Sequence, residues 1–323
     1  MGRGAMQIEP IARVRSPYPT KFGVPRQPGL VDLPAEVVFE PAYRSADAVR
    51  GLEGFDYVWL IWAFSHNVRR ASGASAPGRA PGPDGAPCPA AAPDPAGASD
   101  PDGASDPAAA PDPAGAPNQA GEPDPAGFPH PGKSFGWSPT VRPPILGGTR
   151  RMGVFATRSS FRPNDLALSC VRLLAVEADG PEGPVLRVGG ADMADGTPVF
   201  DVKPYLPYAD AHPTARAGWT EDVSWPVIDR VDVPPAELAK LPADLRVPFV
   251  QVLRQDPRPA YARRGQEGRT FWVPLGRWAA WFRVGKDPDG ESHLVVTRVA
   301  ELSEGQLTEL RETGTVAAFE EGR

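Results

Sequence analysis

A long stretch in the first half of the chain contains almost none of the side chains that build a hydrophobic core. From Ala71 to about Ser134 it consists mostly of Ala, Pro, Gly, Asp and Ser, with imperfect repeats such as the one at 93–99. Such a composition buries too little apolar surface to offset the entropy lost on ordering, so it predicts a disordered insertion over 69–134. Any core must therefore come from the residues before and after it.

The two flanking parts, 7–68 and 135–210, predict one domain that the low-complexity segment interrupts. Phe55 to Phe64 is an almost continuous apolar run that favours a buried strand, and Ser169 to Val176 alternates as a second strand. Short strands separated by turn residues, with few long helical patterns, indicate a mainly β fold and a β-barrel. The alternative is that the segment links two separate domains.

The remaining residues predict a small α+β domain over 211–300 and an acidic tail over 301–323. The tail carries five glutamates from residue 304 onward. The predicted elements are a helix over 236–245 that can continue through 247–253, strands over 271–273, 278–284 and 294–299, and a short helix over 304–312.

Composition and motif content exclude several classes of protein. The net charge of −6 does not indicate general nucleic-acid binding, and two cysteines do not make a disulfide framework. Neither a signal peptide nor an apolar run of about 18 residues is found, so we expect a cytoplasmic protein with no membrane contact. The chain has no nucleophile elbow, phosphate loop, Cys-x-x-Cys pair or Rossmann glycine pattern, and its four histidines are scattered, so no metal site is predicted.

The stretch from Gly147 to Ser169 has the least ordinary composition outside the low-complexity segment. It carries Arg150, Arg151, Arg158 and Arg162, and the chain has no Asp or Glu between residues 125 and 164. Clustered arginines without neutralising acids predict an anion-binding surface. The plainer alternative is a solvated strand pair with charged edges.

Several motifs in this order resemble those of the TsaA-like family. They cover about 7–68 and 135–210, and the motif Gln255–Tyr261 also resembles the family's smaller C-terminal domain. The motifs read VPRQPG at 24–29, DAVRGLE at 47–53, TVRPP at 140–144, RMGVFATRS at 151–159, FRPN at 161–164 and DGTP at 195–198.

The resemblance implies a β-barrel methyltransferase that binds S-adenosylmethionine without a Rossmann fold and works as a homodimer. It implies methylation of N6 of threonylcarbamoyladenosine at position 37, in the anticodon loop of tRNA. The cofactor contacts that it implies fall on Gln27, Pro28, Gly29, His66, Asn67, Arg158, Leu168, Asp195, Gly196, Thr197 and Pro198.

Simple chemistry suggests roles for some of these residues. A guanidinium at Arg158 can bind the cofactor's carboxylate in a bidentate manner, and Asp195 can oppose its sulfonium charge. The predicted contacts to tRNA phosphates are Arg142, Arg150, Arg151 and Arg162. The residue that accepts the proton of the target nitrogen is not identified by the sequence.

Each motif also has an ordinary structural interpretation. The run at 27–29 alone is more often a turn, His66 alone a packed histidine, and the Asp-Gly pair at 195–196 a hairpin turn. Trp59 and Trp62 are expected in the core.

One departure from the family favours a second function. Asp165–Ala167 stands where the family has Pro-Ile-Gly, and this favours a non-catalytic barrel that binds tRNA or nucleotides. A methyltransferase for a different modified adenosine is the third possibility.

Overall fold

The computed structural model describes residues 8–64, 139–146, 150–223, 227–258, 268–286, 290, 292–314 and 316. The insertion predicted at 69–134 lies outside the described residues. The strands are β1 (Ala12–Arg15), β2 (Pro34–Phe39), β3 (Tyr57–Ala63), β4 (Thr140–Val141), β5 (Met152–Gly153), β6 (Leu166–Glu177), β7 (Val185–Gly189), β8 (Pro198–Pro204), β9 (Val231–Asp232), β10 (Phe271–Leu275), β11 (Trp278–Lys286) and β12 (Ser292–Glu301). The helices are α1 (Pro207–Asp210), α2 (Pro235–Leu238), α3 (Ala243–Arg254) and α4 (Glu304–Thr313).

Within these residues, six antiparallel strands close into a barrel in the order β1-β2-β7-β6-β3-β8. The almost continuous apolar run predicted as a strand contains β3, and the alternating sides of a strand explain its core: Val58, Leu60 and Trp62 are buried. They pack with inward-facing residues of the other barrel strands. The predicted β-barrel is confirmed, and β4 and β5 form a separate two-stranded pair.

The C-terminal region is an α+β unit. Its described sheet has the order β10-β11-β12-β9, with β9 parallel to β12. The predicted continuous helix over 236–245 is wrong, because α2 ends at Leu238 and α3 begins at Ala243. Pro242 lies between them, and a proline disfavours helical backbone at the residue before it.

Helix α4 lies in the predicted acidic tail. Ser303 and Gln306 form a reciprocal capping box at its start, and Gly314 ends it with a left-handed φ of 78°. Its apolar side chains Leu307 and Leu310 are buried in a cluster with Ala279 of β11. The tail therefore contributes a packed helix to the C-terminal unit.

The loop between β1 and β2, residues 16–33, joins the barrel to the C-terminal unit. Tyr18, Val31 and Leu33 are buried in the same cluster as residues of α3 and β10 to β12. Gly276 N–H donates to the carbonyl of Pro17 at 2.5 Å. The C-terminal unit therefore holds a loop that emerges from the barrel.

No helix among the described residues is long and apolar enough to cross a membrane.

Candidate functional site

A cavity of about 690 Å³ opens where β3 and β6 meet the β1–β2 loop and the segment after β5. Its lining mixes aromatic and aliphatic side chains with a few polar and charged ones. The lining residues are Lys21, Val24, Pro25, Arg26, Gln27, Trp59, Ile61, Trp62, Phe64, Thr157, Arg158, Arg162, Leu166, Ala167, Leu168, Ser169, Asp192, Ala194 and Thr197. An apolar concavity with few polar groups is typical of a small-molecule site.

Four of the predicted cofactor residues line this cavity: Gln27, Arg158, Leu168 and Thr197. Gln27 and Arg158 are 131 residues apart, yet an Arg158 guanidinium N–H donates to the Gln27 side-chain oxygen. Thr197 is buried and its hydroxyl donates to the carbonyl of Ala194 at 2.7 Å. The fold thus brings together residues from the β1–β2 loop, the arginine-rich stretch and the turn before β8.

The other predicted cofactor residues that the structure describes do not line it. The Gly29 N–H donates to the carbonyl of Gly190 at 2.8 Å. The Asp195 carboxylate accepts from the backbone N–H of Ser16 at 3.1 Å and lies 3.8 Å from Arg311. The remaining members of this group are Pro28, Gly196 and Pro198, while His66 and Asn67 lie outside the described residues.

The carboxylate that faces the cavity is Asp192, which the sequence analysis did not select. Its Oδ1 accepts from the hydroxyl of Ser169 at 2.6 Å. The Ser169 oxygen in turn accepts from the indole N–H of Trp62 at 2.9 Å. Ser169 is only 1% exposed, so this chain of hydrogen bonds anchors Asp192 to the barrel interior.

Burial raises the pKa of Asp192, because the charged form loses solvation. The Ser169 hydroxyl, the Asp192 backbone N–H and the charge of Arg158 act in the opposite direction. Burial also raises the pKa of Tyr18, and the Asp192 charge raises it further. The Tyr18 hydroxyl is buried and has no hydrogen-bond partner among the described residues.

A sequence signal for Asp192 did exist. It is a single acid between Ala191 and Met193, both buried, just before the Asp-Gly turn. A lone acid within an apolar run is costly to bury, so it indicates a function or a specific partner.

Trp59 and Trp62 were both expected in the core, and only Trp62 lies there. Trp59 is half-buried, and its indole N–H donates to the Asp210 carboxylate at 3.0 Å. The side chains of a strand alternate between its two faces, and Trp59 lies on the face opposite to buried Val58 and Leu60. The expectation for Trp59 was therefore wrong.

Comparison with known proteins identifies the family. The family model of the tRNA-methyltransferase O N-terminal domain matches residues 13–84 and 128–211. The tRNA (adenine(37)-N6)-methyltransferase of Escherichia coli is 35% identical over 288 residues, which cover 87% of this chain and 94% of the relative. The chain belongs to the tRNA-methyltransferase O family.

Other relatives and a solved structure support the same family assignment. The tRNA (adenine(37)-N6)-methyltransferase of Eikenella corrodens is 45% identical over 157 residues, covering 47% of this chain and 83% of the relative. A Pseudomonas aeruginosa relative, provisionally named as an S-adenosylmethionine-dependent methyltransferase, is 31% identical over 285 residues, which cover 83% of this chain and 88% of the relative. A crystal structure of TrmO from Pseudomonas aeruginosa matches with a TM-score of 0.56 and 25% identity, covering 93% of this chain and 99% of that one. The resemblance to the TsaA-like family is confirmed.

The cavity of this tRNA-methyltransferase O family member fits S-adenosylmethionine. Its volume lies within the range of about 300–1,000 Å³ that holds ligands of this size. The Asp192 carboxylate suits the cationic centres, and the guanidinium of Arg158 suits the carboxylate of the amino-acid part. The side chains of Trp59, Ile61 and Leu168 supply an apolar wall for adenine.

The predicted tRNA-contacting arginines fall into two groups. Arg142, Arg150 and Arg151 are exposed, and Arg151 also donates to the hydroxyl of Thr140 at 2.9 Å. Arg162 is half-buried and donates to the carbonyls of Val154 and Thr157 at 3.2 and 2.7 Å. Arg162 therefore organises the loop, while the other three form its charged rim.

The plainer interpretation of this stretch was a strand pair with charged edges, and it describes only a small part. β4 and β5 pair over two residues each, Thr140 with Gly153 and Val141 with Met152. A short 3-10 turn follows at Val154–Ala156.

Proposed function

We propose that this protein transfers a methyl group from S-adenosylmethionine to N6 of threonylcarbamoyladenosine at position 37 of tRNA, in the cytoplasm. The observation that carries the proposal is the meeting of Gln27, Arg158, Leu168 and Thr197 in one cavity beside the half-buried carboxylate of Asp192. The named relatives from Escherichia coli and Eikenella corrodens act on N6 of adenine 37. Membership of their family supports the same reaction here.

When bound, S-adenosylmethionine supplies a methyl group on a positively charged sulfur. Arg158, oriented by its hydrogen bond to Gln27, holds a carboxylate at one end of the cavity. The apolar wall excludes water from the reacting atoms, which strengthens the electrostatic effect of Asp192. The remaining predicted contacts at Pro28, Gly29, His66, Asn67, Asp195, Gly196 and Pro198 stay predictions.

The rim arginines bind the tRNA. Arg142, Arg150 and Arg151 are exposed on the segments that lead to the cavity wall, at Thr157 and Arg158. Guanidinium groups in such a cluster suit phosphates of the anticodon loop, and the cavity beside them admits a base that leaves the stack.

A second copy of the chain covers the outward face of β3 and β6, and this completes a homodimer. Leu166 and Leu168 are 36% and 52% exposed on that face, and they pair with Ala63 and Ile61 of β3. Exposed aliphatic side chains on paired strands are typical of an interface. Because Leu166, Leu168 and Ile61 also line the cavity, the second copy lies next to the cofactor.

Sedimentation equilibrium tests the homodimer. We expect a dimer for the wild type and a monomer for Leu166→Asp, because a buried unpaired carboxylate is costly at an interface. Val247→Asp is the matched control, since Val247 is 67% exposed and lies on α3 of the C-terminal unit. A monomeric wild type contradicts the homodimer.

The reaction is tested with labelled S-adenosylmethionine and two tRNA samples, one with threonylcarbamoyladenosine and one with unmodified adenosine at position 37. Label found by nucleoside mass analysis only on the threonylcarbamoyl nucleoside supports the proposal. Label on another modified adenosine points to a shifted substrate. Cofactor binding without transfer to any tRNA points to the non-catalytic binding protein.

The Asp165–Ala167 departure gives the non-catalytic alternative no support. Leu166 and Ala167 lie in β6 and pair with β3, and both line the cavity. The backbone carbonyl of Asp165 accepts from the N–H of Phe64 at 3.0 Å. Strand β6 and the cavity wall therefore form although the family's Pro and Gly are missing.

A further inference from the structure

One group among the described residues of the cavity lining can accept a proton at neutral pH. Among the described lining residues, Asp192 is the only Asp, Glu, His or Cys. The other ionisable lining residues are cationic: Lys21, Arg26, Arg158 and Arg162. Ser169 cannot act as the proton acceptor in this arrangement, because its hydroxyl already donates its proton to Asp192.

The surroundings of Asp192 prepare a carboxylate for proton transfer. Trp62 donates to Ser169 and Ser169 donates to Asp192, so the proton of the serine hydroxyl is directed at the carboxylate. This orients the carboxylate from the barrel side, while Asp192 remains part of the cavity wall. Burial shifts its pKa upward, which brings its basicity nearer to that needed at neutral pH.

We propose that Asp192 is the general base of methyl transfer, which accepts the proton of the target nitrogen. This inference rests on the proposed function. The N6 of threonylcarbamoyladenosine carries a weakly acidic proton because the ureido carbonyl withdraws electrons. The N6–H bond breaks with its proton passing to an Asp192 carboxylate oxygen, while N6 forms its bond to the methyl carbon. The carbon–sulfur bond breaks with its electron pair on sulfur, which leaves neutral S-adenosylhomocysteine.

The pH dependence has a defined sign. Methyl transfer requires ionised Asp192, so the rate constant falls as the pH falls through its pKa in the folded protein. Burial raises that pKa, while Arg158 and the Ser169 hydroxyl act against it. Lys21, Arg26 and Arg162 are the other charged groups of the cavity, and Tyr18 is the neutral titratable group nearby.

Single-turnover methyl transfer to threonylcarbamoyladenosine-containing tRNA tests the proposal. We expect Asp192→Asn to lower the rate constant by about 10²–10⁴-fold, the usual contribution of a general base. The Kd for S-adenosylhomocysteine is measured by calorimetry for the same variant, and the rate is taken at saturating cofactor, so that loss of cofactor binding is separated from loss of proton transfer. Asp192→Glu should recover part of the rate.

Ser169→Ala provides a readout that a merely structural role would not move. Removing the donor to Asp192 should raise the carboxylate pKa, so the acid limb of the pH–rate profile moves to higher pH. The same upward shift should appear in a ¹³C NMR titration of the labelled aspartate carboxylate. No shift in either titration contradicts the arrangement.

The outcomes separate the two proposals. An active wild type with Asp192→Asn within about threefold of its rate overturns the general base, as does loss of rate explained wholly by weaker cofactor binding. Loss of the acid limb in His66→Gln, with Asp192→Asn keeping it, also overturns it and assigns the proton to His66. A wild type without methyl transfer to any tRNA overturns the proposed function and the base together.

Discussion

The two loops that flank the cavity are held in different ways. The β1–β2 loop is buried against the C-terminal unit, with Tyr18, Val31 and Leu33 inside its core. The segment 154–165 exposes Phe155 and Phe161 at 70% and 54%. Several of the hydrogen bonds described for it are local, and its long-range ones come from single contacts: Arg158 donates to Gln27, the Phe64 N–H donates to the carbonyl of Asp165, and the indole N–H of Trp219 donates to the carbonyl of Ala156.

The buried loop and the exposed segment suit two different parts of the proposed reaction, cofactor binding and tRNA binding. The buried loop presents Gln27 and Arg26 to the cavity from a fixed position, as precise cofactor binding requires. The segment 154–165 exposes two aromatic rings, and Arg150 and Arg151 are exposed just before it, so this side of the cavity suits the proposed contact with RNA. The C-terminal unit thus contributes to the site through the loop that it buries.

Asp256 provides an electrostatic link between the C-terminal unit and the cavity. It is 3% exposed, has a left-handed φ of 48°, and accepts from Arg258 at 2.7 and 3.0 Å. Its charge also acts on Arg26 of the cavity wall: burial lowers the pKa of Arg26 and Asp256 opposes this.

The largest effect is expected for Asp256→Ala. It leaves the buried guanidinium of Arg258 without its carboxylate, which should lower the free energy of unfolding by about 3–5 kcal/mol. Asp256→Asn keeps a residue that tolerates left-handed backbone and isolates the loss of charge. Urea denaturation measures both, and Asp229→Ala, which removes an exposed acid 3.9 Å from Arg254, is the control expected to leave the midpoint unchanged.

Gly23→Ala should have the next largest effect, because it tests the fit of the β1–β2 loop against the C-terminal sheet. A Cβ at Gly23 would lie 2.8 Å from Val273 Cγ2, at a φ of 86°. We expect a loss of about 2–4 kcal/mol from the combined crowding and backbone strain. Gly29→Ala has a similar φ of 79° and nothing within 4 Å, so it should cost only about 1–2 kcal/mol. Equal losses in thermal unfolding would mean that the loop is not tightly packed there.

Substitutions in the arginine-rich stretch 147–169 should have the smallest effects on stability, and each should affect a different property. Arg162→Ala removes hydrogen bonds to two loop carbonyls, so we expect it to destabilise the protein by about 1–2 kcal/mol. Arg151→Ala should leave stability within about 0.5 kcal/mol. It should instead weaken tRNA binding and reduce the slope of log K against log salt by about 0.7–0.9. Unchanged salt dependence would remove Arg151 from the RNA contact.

Much of the architecture is predictable because its signals are local. The apolar run over 55–64 and the alternation over 169–176 each predict a strand, β3 and β6 lie there, and turn residues separate the strands. The helix over 236–245 failed because the effect of Pro242 on the residue before it outweighed the apolar pattern. The site was predictable only through motifs. The sequence pointed to Asp195 as the carboxylate that opposes the cofactor's positive charge, whereas in the structure Asp192 lines the cavity and Asp195 does not.

The sequence by itself determined which segments can be strands, where no core can form, and which loops carry small, polar and arginine residues. The tertiary structure alone decided that Gln27 meets Arg158 and that Trp62, Ser169 and Asp192 form one hydrogen-bonded chain. It also decided that the C-terminal unit holds the β1–β2 loop. The physical reason is that strand periodicity is a property of neighbouring residues, while barrel closure and register depend on pairing between residues far apart in the chain.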